Sequence, residues 1–191
     1  YGAKITMEKV GVDMEIGVSS SCFYPELIEK SLETVGHLGA KTAEIFFNSP
    51  CELEGKILKE LCRIKDYYGI QIRSVHPFTS GYEPYLIFSN YSRRTNDSID
   101  FYKRYFAAAN ELGAELVVLH GGRDRKGYTP ELYAENYIKL HNEARKSNLF
   151  IAQENVNSFY CSDPYIMKKI ADAVGDEFRM VLDIKQCRRT N

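Results

Sequence analysis

The 191-residue chain has no tryptophan, no Cys-x-x-Cys pair and no excess of either charge. Five cysteines (Cys22, Cys51, Cys62, Cys161, Cys187) are odd in number and irregularly spaced. That favours reduced thiols in a cytosolic protein over a disulfide framework. A net charge of -1 gives no push toward nucleic acid or acidic membranes. No apolar run approaches the roughly 20 residues needed to span a bilayer. No secretory signal is visible at the start, so the expected location is the cytoplasm. Neither GxGxxG nor GxxxxGK[ST] follows the first strand; Ser19-Ser20-Ser21 stands there instead, which weakens a nucleotide-binding reading. What remains is 44% hydrophobic and 27% charged, the balance of one folded domain with a sizeable core.

Short apolar runs alternate with helical patterns along the chain. Residues 1–13 look unlike the rest and read as an N-terminal arm or a cloning remnant; the domain is expected over 14–191. Strand one is expected from Met14 to Ser20. A helix opened by Pro25 follows, with Leu27, Ile28, Leu32, Val35 and Leu38 on one face and Gly39 as its stop. Strand two is Thr42–Phe47, and a second helix runs from about Glu54 to Tyr68, ended by Gly69. Strand three, Ile70–Val75, ends at His76-Pro77. The stretch from Phe78 to Arg94 is long for a connection and reads as a functional lid. Its Tyr82, Tyr85, Phe88 and Tyr91 suggest a roof over a pocket, or an interface. Thr95 or Asn96 caps a third helix closed by Gly113. Strand four, Glu115–Leu119, ends in His120-Gly121-Gly122. Thr129-Pro130 fits Ncap and N1 of the next helix. Strand five lies in Leu149–Val156 and ends at Glu154. Ser162-Asp163-Pro164 starts a helix stopped by Gly175, and Phe178–Leu182 is strand six, ending at Asp183. This strict alternation makes the chain α/β, with parallel strands and helical crossovers. An open doubly wound sheet and part of an eight-fold barrel both fit.

His76, His120, Glu154 and Asp183 share one address, the C-terminal ends of four strands. A carboxylate emerging from a buried strand is costly unless a cation or several donors meet it. Two imidazoles with carboxylates suit Zn²⁺, or Mn²⁺ where oxygen ligands dominate. A lone histidine is ordinarily a hydrogen-bonded core or surface residue; four strand-end groups in register argue for metal. Glu44, near the end of strand two, is a further site candidate. Gln153 and Asn155 flank Glu154 and are placed to orient a ligand or cap a loop. Gly121-Gly122 suggests close backbone approach to a substrate, with an ordinary tight turn as the plain alternative. Arg123, Asp124, Arg125 and Lys126 form a solvated run or a phosphate clamp. Lys185, two residues past Asp183, could polarise a carbonyl or hold a phosphate. His37 and His141 lie inside helices and receive no catalytic role, His37 being favoured by the helix C-terminal dipole.

The strand ends Ser-Val-His76-Pro, Val-Leu-His120-Gly-Gly, Gln-Glu154-Asn and Val-Leu-Asp183-Ile-Lys-Gln186 resemble the xylose isomerase-like TIM-barrel superfamily, over Met14 to about Arg189. The superfamily includes sugar-phosphate isomerases and epimerases and the endonuclease IV group. The resemblance implies a divalent metal, zinc or manganese, at the barrel mouth. Glu154 and Asp183 match its strand-five and strand-six ligands, and His76 and His120 match histidines of the endonuclease branch. Glu154 and Lys185 become candidate catalytic groups; Glu44, Gly121 and Gln186 become candidate substrate contacts. The endonuclease pattern Asp-x-x-His is here Asp183-Ile-Lys-Gln186, and Gln186 is a poor zinc ligand. Only about six of eight β/α units are present, so the chain is expected to be a fragment, a truncated product, or one completed by association through open sheet edges, as in a homo-oligomer. The expected activity is a metal-dependent isomerase or epimerase acting on a sugar or sugar phosphate, inactive if the missing ligands are needed. An endonuclease IV-like zinc phosphodiesterase acting on abasic DNA and a non-catalytic relic are the competing readings. No membrane or nucleic-acid partner is expected under the first.

Overall fold

A computed structural model describes residues 15–123 and 128–189. The arm expected at 1–13, Met14, and Asp124, Arg125 and Lys126 of the suggested clamp lie outside the described residues. Six strands form one sheet: β1 (Val18–Ser19), β2 (Thr42–Phe46), β3 (Gln71–His76), β4 (Leu116–Leu119), β5 (Phe150–Glu154) and β6 (Arg179–Val181). Every pairing is parallel, and spatial order follows chain order. That order separates the two architectures left open by the pattern. A doubly wound sheet reverses its strand order at a switch point, whereas right-handed crossovers between sequential neighbours put every helix on one face. The helices α1 (Ile28–His37), α2 (Gly55–Tyr68), α3 (Ser92–Leu112), α4 (Pro130–Arg145) and α5 (Pro164–Val174) pack each against the next in a continuous layer. The fold is a partial TIM barrel, and its last described element is a four-residue helix, α6 (Ile184–Cys187).

Local chemistry explains most boundaries. Gly69 and Gly113 end α2 and α3 in the left-handed conformation. Thr129 accepts a hydrogen bond from the Leu132 N–H, Asp163 accepts one from Tyr165, and Pro130 and Pro164 occupy the first helical positions. The expected strand at Met14–Ser20 shrinks to two residues. Ser19 Oγ accepts from the Ser21 N–H, and a 3-10 turn begins at Ser20, so a side-chain bond replaces the ladder. Pro25 lies in the turn ahead of α1 rather than opening it. The stretch after β3 is not irregular throughout. Phe78–Tyr85 is a 3-10 segment, and α3 starts at Ser92 without a side-chain cap. Thr95 is buried in that helix and donates to the Ile87 carbonyl instead.

The period of two along each strand sorts side chains between helices and lumen. Ala43, Ile45 and Phe47 on or beside β2, Val117 and Leu119 on β4, and Ile151 on β5 join the buried core with Leu32, Leu61, Ile64, Tyr102, Phe106 and Tyr137. The opposite parity carries Glu44 and Phe46, His76, Val118, Glu154 and Val181. Register keeps them level: Glu44 pairs with Ser74, Phe46 with His76, and Glu154 with Val181. No described helix is long and apolar enough to cross a membrane.

Candidate metal centre

His76 ends β3, His120 follows β4, and Glu154 ends β5. Parallel neighbours with inward parity bring their tips together. His76 Nε2 and His120 Nε2 lie 3.1 Å apart; Glu154 Oε2 is 3.1 Å from His120 Nε2 and 3.7 Å from His76 Nε2. Ligands about 2.0–2.1 Å from a tetrahedral zinc stand about 3.3 Å from one another. The three separations bracket that edge, so the donor set fits such an ion in chemistry and in spacing. It is a group of metal-competent side chains among the described residues that excludes Asp183.

The surroundings hold the trio in a ligating state. His76 is 7% exposed and stacks on Phe46 with ring centres 4.6 Å apart. Its Nδ1 faces the Pro77 carbonyl at 3.3 Å and the Ser80 hydroxyl at 3.4 Å. A carbonyl there favours the Nδ1–H tautomer and leaves the Nε2 lone pair toward the centre. His120 meets the Phe159 ring edge-on, and the Arg123 guanidinium covers that ring. Burial pushes the Glu154 carboxyl up, but the His120 and His76 imidazoles beside it prevail and hold it at about 2. It is therefore the ionised form that a cation requires.

The trio stands in a cavity of about 390 Å³, also lined by Ser21, Glu44, Asp183, Lys185 and Gln186. Glu44 accepts from Ser19 Oγ at 2.8 Å and Ser74 Oγ at 3.1 Å. Asp183 reaches the cavity, yet one carboxylate oxygen accepts from the Lys185 and Gln186 N–H groups and caps α6. Its backbone exchanges hydrogen bonds with the Asn155 side chain, which ties the ends of β5 and β6. Gln186 turns its Oε1 to the Asn157 N–H.

Gly121 is buried and packs against the core. A Cβ on it would meet Tyr133 Oη at 1.9 Å, and one on Gly122 would meet Phe88 Cβ at 2.9 Å. The close approach that these glycines permit is to the core. The Gly121 N–H is donated at 2.6 Å to Glu83, a fully buried carboxylate that sequence patterning missed. Tyr102 Oη donates to the other Glu83 oxygen at 2.7 Å. Burial drives the Glu83 carboxyl up to about 7, against the His120 imidazole and the donors from Gly121 and Tyr102. Only an acidic residue inside an aromatic loop hinted at it. Gln153 has the helix-facing parity of β5: its Nε2 sits 3.0–3.1 Å from the Leu119, His120 and Glu154 carbonyls, and its Oε1 accepts from Tyr133. It orders the strand ends from behind. Tyr82, Tyr85, Phe88 and Tyr91 do not line the cavity; Phe88 is buried on Tyr133, and the three tyrosines are exposed. His37 ends α1 beside the Tyr68 hydroxyl, and His141 is buried against Glu177, away from the trio.

A family model of the xylose isomerase-like TIM barrel matches residues 32–189. The uncharacterized protein MJ1311 of Methanocaldococcus jannaschii is 32% identical over 127 residues, 66% of this chain and 40% of that protein. The chain thus matches well under half the length of this curated relative. Among solved structures, a D-tagatose 3-epimerase-like protein superposes with a TM-score of 0.75 at 21% identity, over 93% of this chain and 68% of its own. A D-psicose 3-epimerase from Clostridium cellulolyticum H10 gives 0.73 at 18%, over 89% and 63%. A probable 3-DHS dehydratase, AsbF, from Bacillus anthracis gives 0.71 at 12%, over 89% and 63%. At these identities the likenesses show the fold.

Proposed function

The chain belongs to the xylose isomerase-like TIM-barrel family, and on that premise we propose that it holds a divalent metal at His76, His120 and Glu154 and serves isomerase or epimerase chemistry on a sugar or sugar phosphate. The observation that carries this is the convergence of two imidazole nitrogens and one carboxylate oxygen at 3.1–3.7 Å. Zinc suits that nitrogen-rich set, and manganese becomes competitive if Asp183 releases its helix cap. The metal, when bound, supplies Lewis acidity toward a carbonyl and its neighbouring hydroxyl. The side chains do the rest. Lys185 lines the cavity and would hold a substrate oxygen or phosphate. A carboxyl held at about 2 is a weak proton acceptor near neutrality, so Glu154 serves first as a ligand. Glu44, fixed by two serine hydroxyls in the same cavity, is the carboxylate available to take a substrate hydroxyl or its proton. Epimerase names among the solved relatives support a sugar substrate. Self-association through the edges of β1 and β6 belongs to the same proposal and is read by light scattering.

Elemental analysis tests the centre. Purified without chelator, the protein should carry about one zinc or manganese per chain, lost in His120→Ala and Glu154→Gln. A chain that takes up neither metal refutes the reading and leaves a non-catalytic relic. Ketose epimerisation assays on sugars and their phosphates then test the reaction. The trio without Asp183 also favours one other reading, because two strand-end histidines with this glutamate resemble the endonuclease-branch zinc site. Nicking of abasic duplex DNA that disappears in Glu154→Ala would decide for it.

A further inference from the structure

The segment between His76 and α3 touches both imidazole-bearing strand ends at once. It leaves β3 at Pro77 and coils as the 3-10 segment Phe78–Tyr85. Ser80 donates to the Pro77 carbonyl at 2.7 Å and lies 3.4 Å from His76 Nδ1. Three residues on, Glu83 accepts the Gly121 N–H at 2.6 Å, one residue past His120. Thr79 donates to Tyr102 Oη, and Tyr102 donates to Glu83, so the carboxylate is fixed from behind. The Glu83 carbonyl in turn accepts from Phe88. Glu83 is fully buried, and a carboxylate is costly in such a place, yet only its two oxygens can accept from Gly121 and Tyr102 together; a glutamine would keep one of the two bonds. Its two oxygens reach the backbone that carries one imidazole and the helix behind the other.

We propose that Glu83 is a positioning residue for the metal trio: through it the 3-10 segment straps the β3 and β4 ends together and sets the separation of His76 and His120. The claim rests on the trio being a metal centre. Ser80 holds the His76 ring, Glu83 holds the His120–Gly121 backbone, and three residues of one rigid turn fix the distance between the two grips. Supports of this kind change metal affinity by about 10–100-fold when removed, without contacting the metal.

The test uses Co²⁺ and Zn²⁺ binding to the whole chain, by competition with a chromogenic chelator, with the Co²⁺ visible spectrum as reporter of ligand geometry. Glu83→Ala should weaken binding by about 10–100-fold and alter the spectrum. Glu83→Gln keeps an oxygen for the Gly121 N–H and should recover most of the affinity. His141→Gln removes a buried polar contact elsewhere; it should lower the melting temperature with binding and spectrum unchanged. If Glu83→Ala does not fold, Ser80→Ala and Glu83→Gln carry the test, with a shifted Co²⁺ spectrum expected in Ser80→Ala. Wild-type affinity and spectrum in every Glu83 and Ser80 variant that folds overturn the strap while leaving the metal centre standing. Failure of the wild type to bind either metal overturns the centre and the strap with it.

Discussion

Replacing Gly121 with alanine should be among the most damaging single-methyl changes available to this chain. The position has φ +92°, where an L side chain is strained by about 1–2 kcal/mol. Its Cβ would stand 1.9 Å from Tyr133 Oη and 3.0 Å from Tyr133 Cζ. Tyr133 has no room to retreat: it is fully buried, stacked on Phe88, and bonded to Gln153 at 2.7 Å. Overpacking of this kind costs about 1–3 kcal/mol. Pushing the hydroxyl off Gln153 orphans two buried polar groups, for about 1–3 kcal/mol more. The whole loss is about 3–8 kcal/mol before relaxation, which lowers it. Gly113→Ala supplies the control, because Gly113 has φ +75° with nothing within 4 Å of its Cβ position. It should cost only the backbone strain, about 1–2 kcal/mol. Urea unfolding of both variants measures the contrast. Adding Tyr133→Phe removes the atom at 1.9 Å, so the double variant should lose less than the two single changes combined. Equal destabilisation by Gly121→Ala and Gly113→Ala, or strict additivity with Tyr133→Phe, would refute the steric account.

The Glu83 carboxyl, pushed up to about 7 by burial, lies above its ordinary value of 4.5. An acid raised on folding contributes stability that is fully present below 4.5 and is lost as pH rises through 7, so wild type should fall relative to Glu83→Gln by about 3 kcal/mol across that interval. A flat difference in urea midpoints over the same range counts against burial of an ionisable Glu83. Tyr137→Phe strips the bond from a buried hydroxyl to the Ile151 carbonyl and should cost about 1–2 kcal/mol in thermal unfolding. Thr129→Ala and Asp163→Ala each remove a helix cap and should cost about 1 kcal/mol; no change in denaturant midpoint would show that those helices do not depend on their caps.

Local chemistry in the sequence determined the order of elements, the stops at Gly69, Gly113 and Gly175, the starts at Thr129-Pro130 and Asp163-Pro164, and the placing of His76, His120, Glu154 and Asp183 at strand ends. These are legible because caps, breakers and apolar runs act within a few residues. Facing was not legible in runs such as Leu116–Leu119, where every residue is apolar and no alternation marks the inner side. The sequential parallel register decided it, turning His120 and Glu154 inward and Gln153 outward onto Tyr133. Tertiary structure also separated Asp183 from the trio, because its carboxylate caps a helix one residue away. Glu83 and the glycines after His120 gained meaning only once Tyr102, Tyr133 and Phe88 were packed around them. A chain pattern records what a residue's neighbours in sequence require, while distances of 3 Å between strands dozens of residues apart are set by packing.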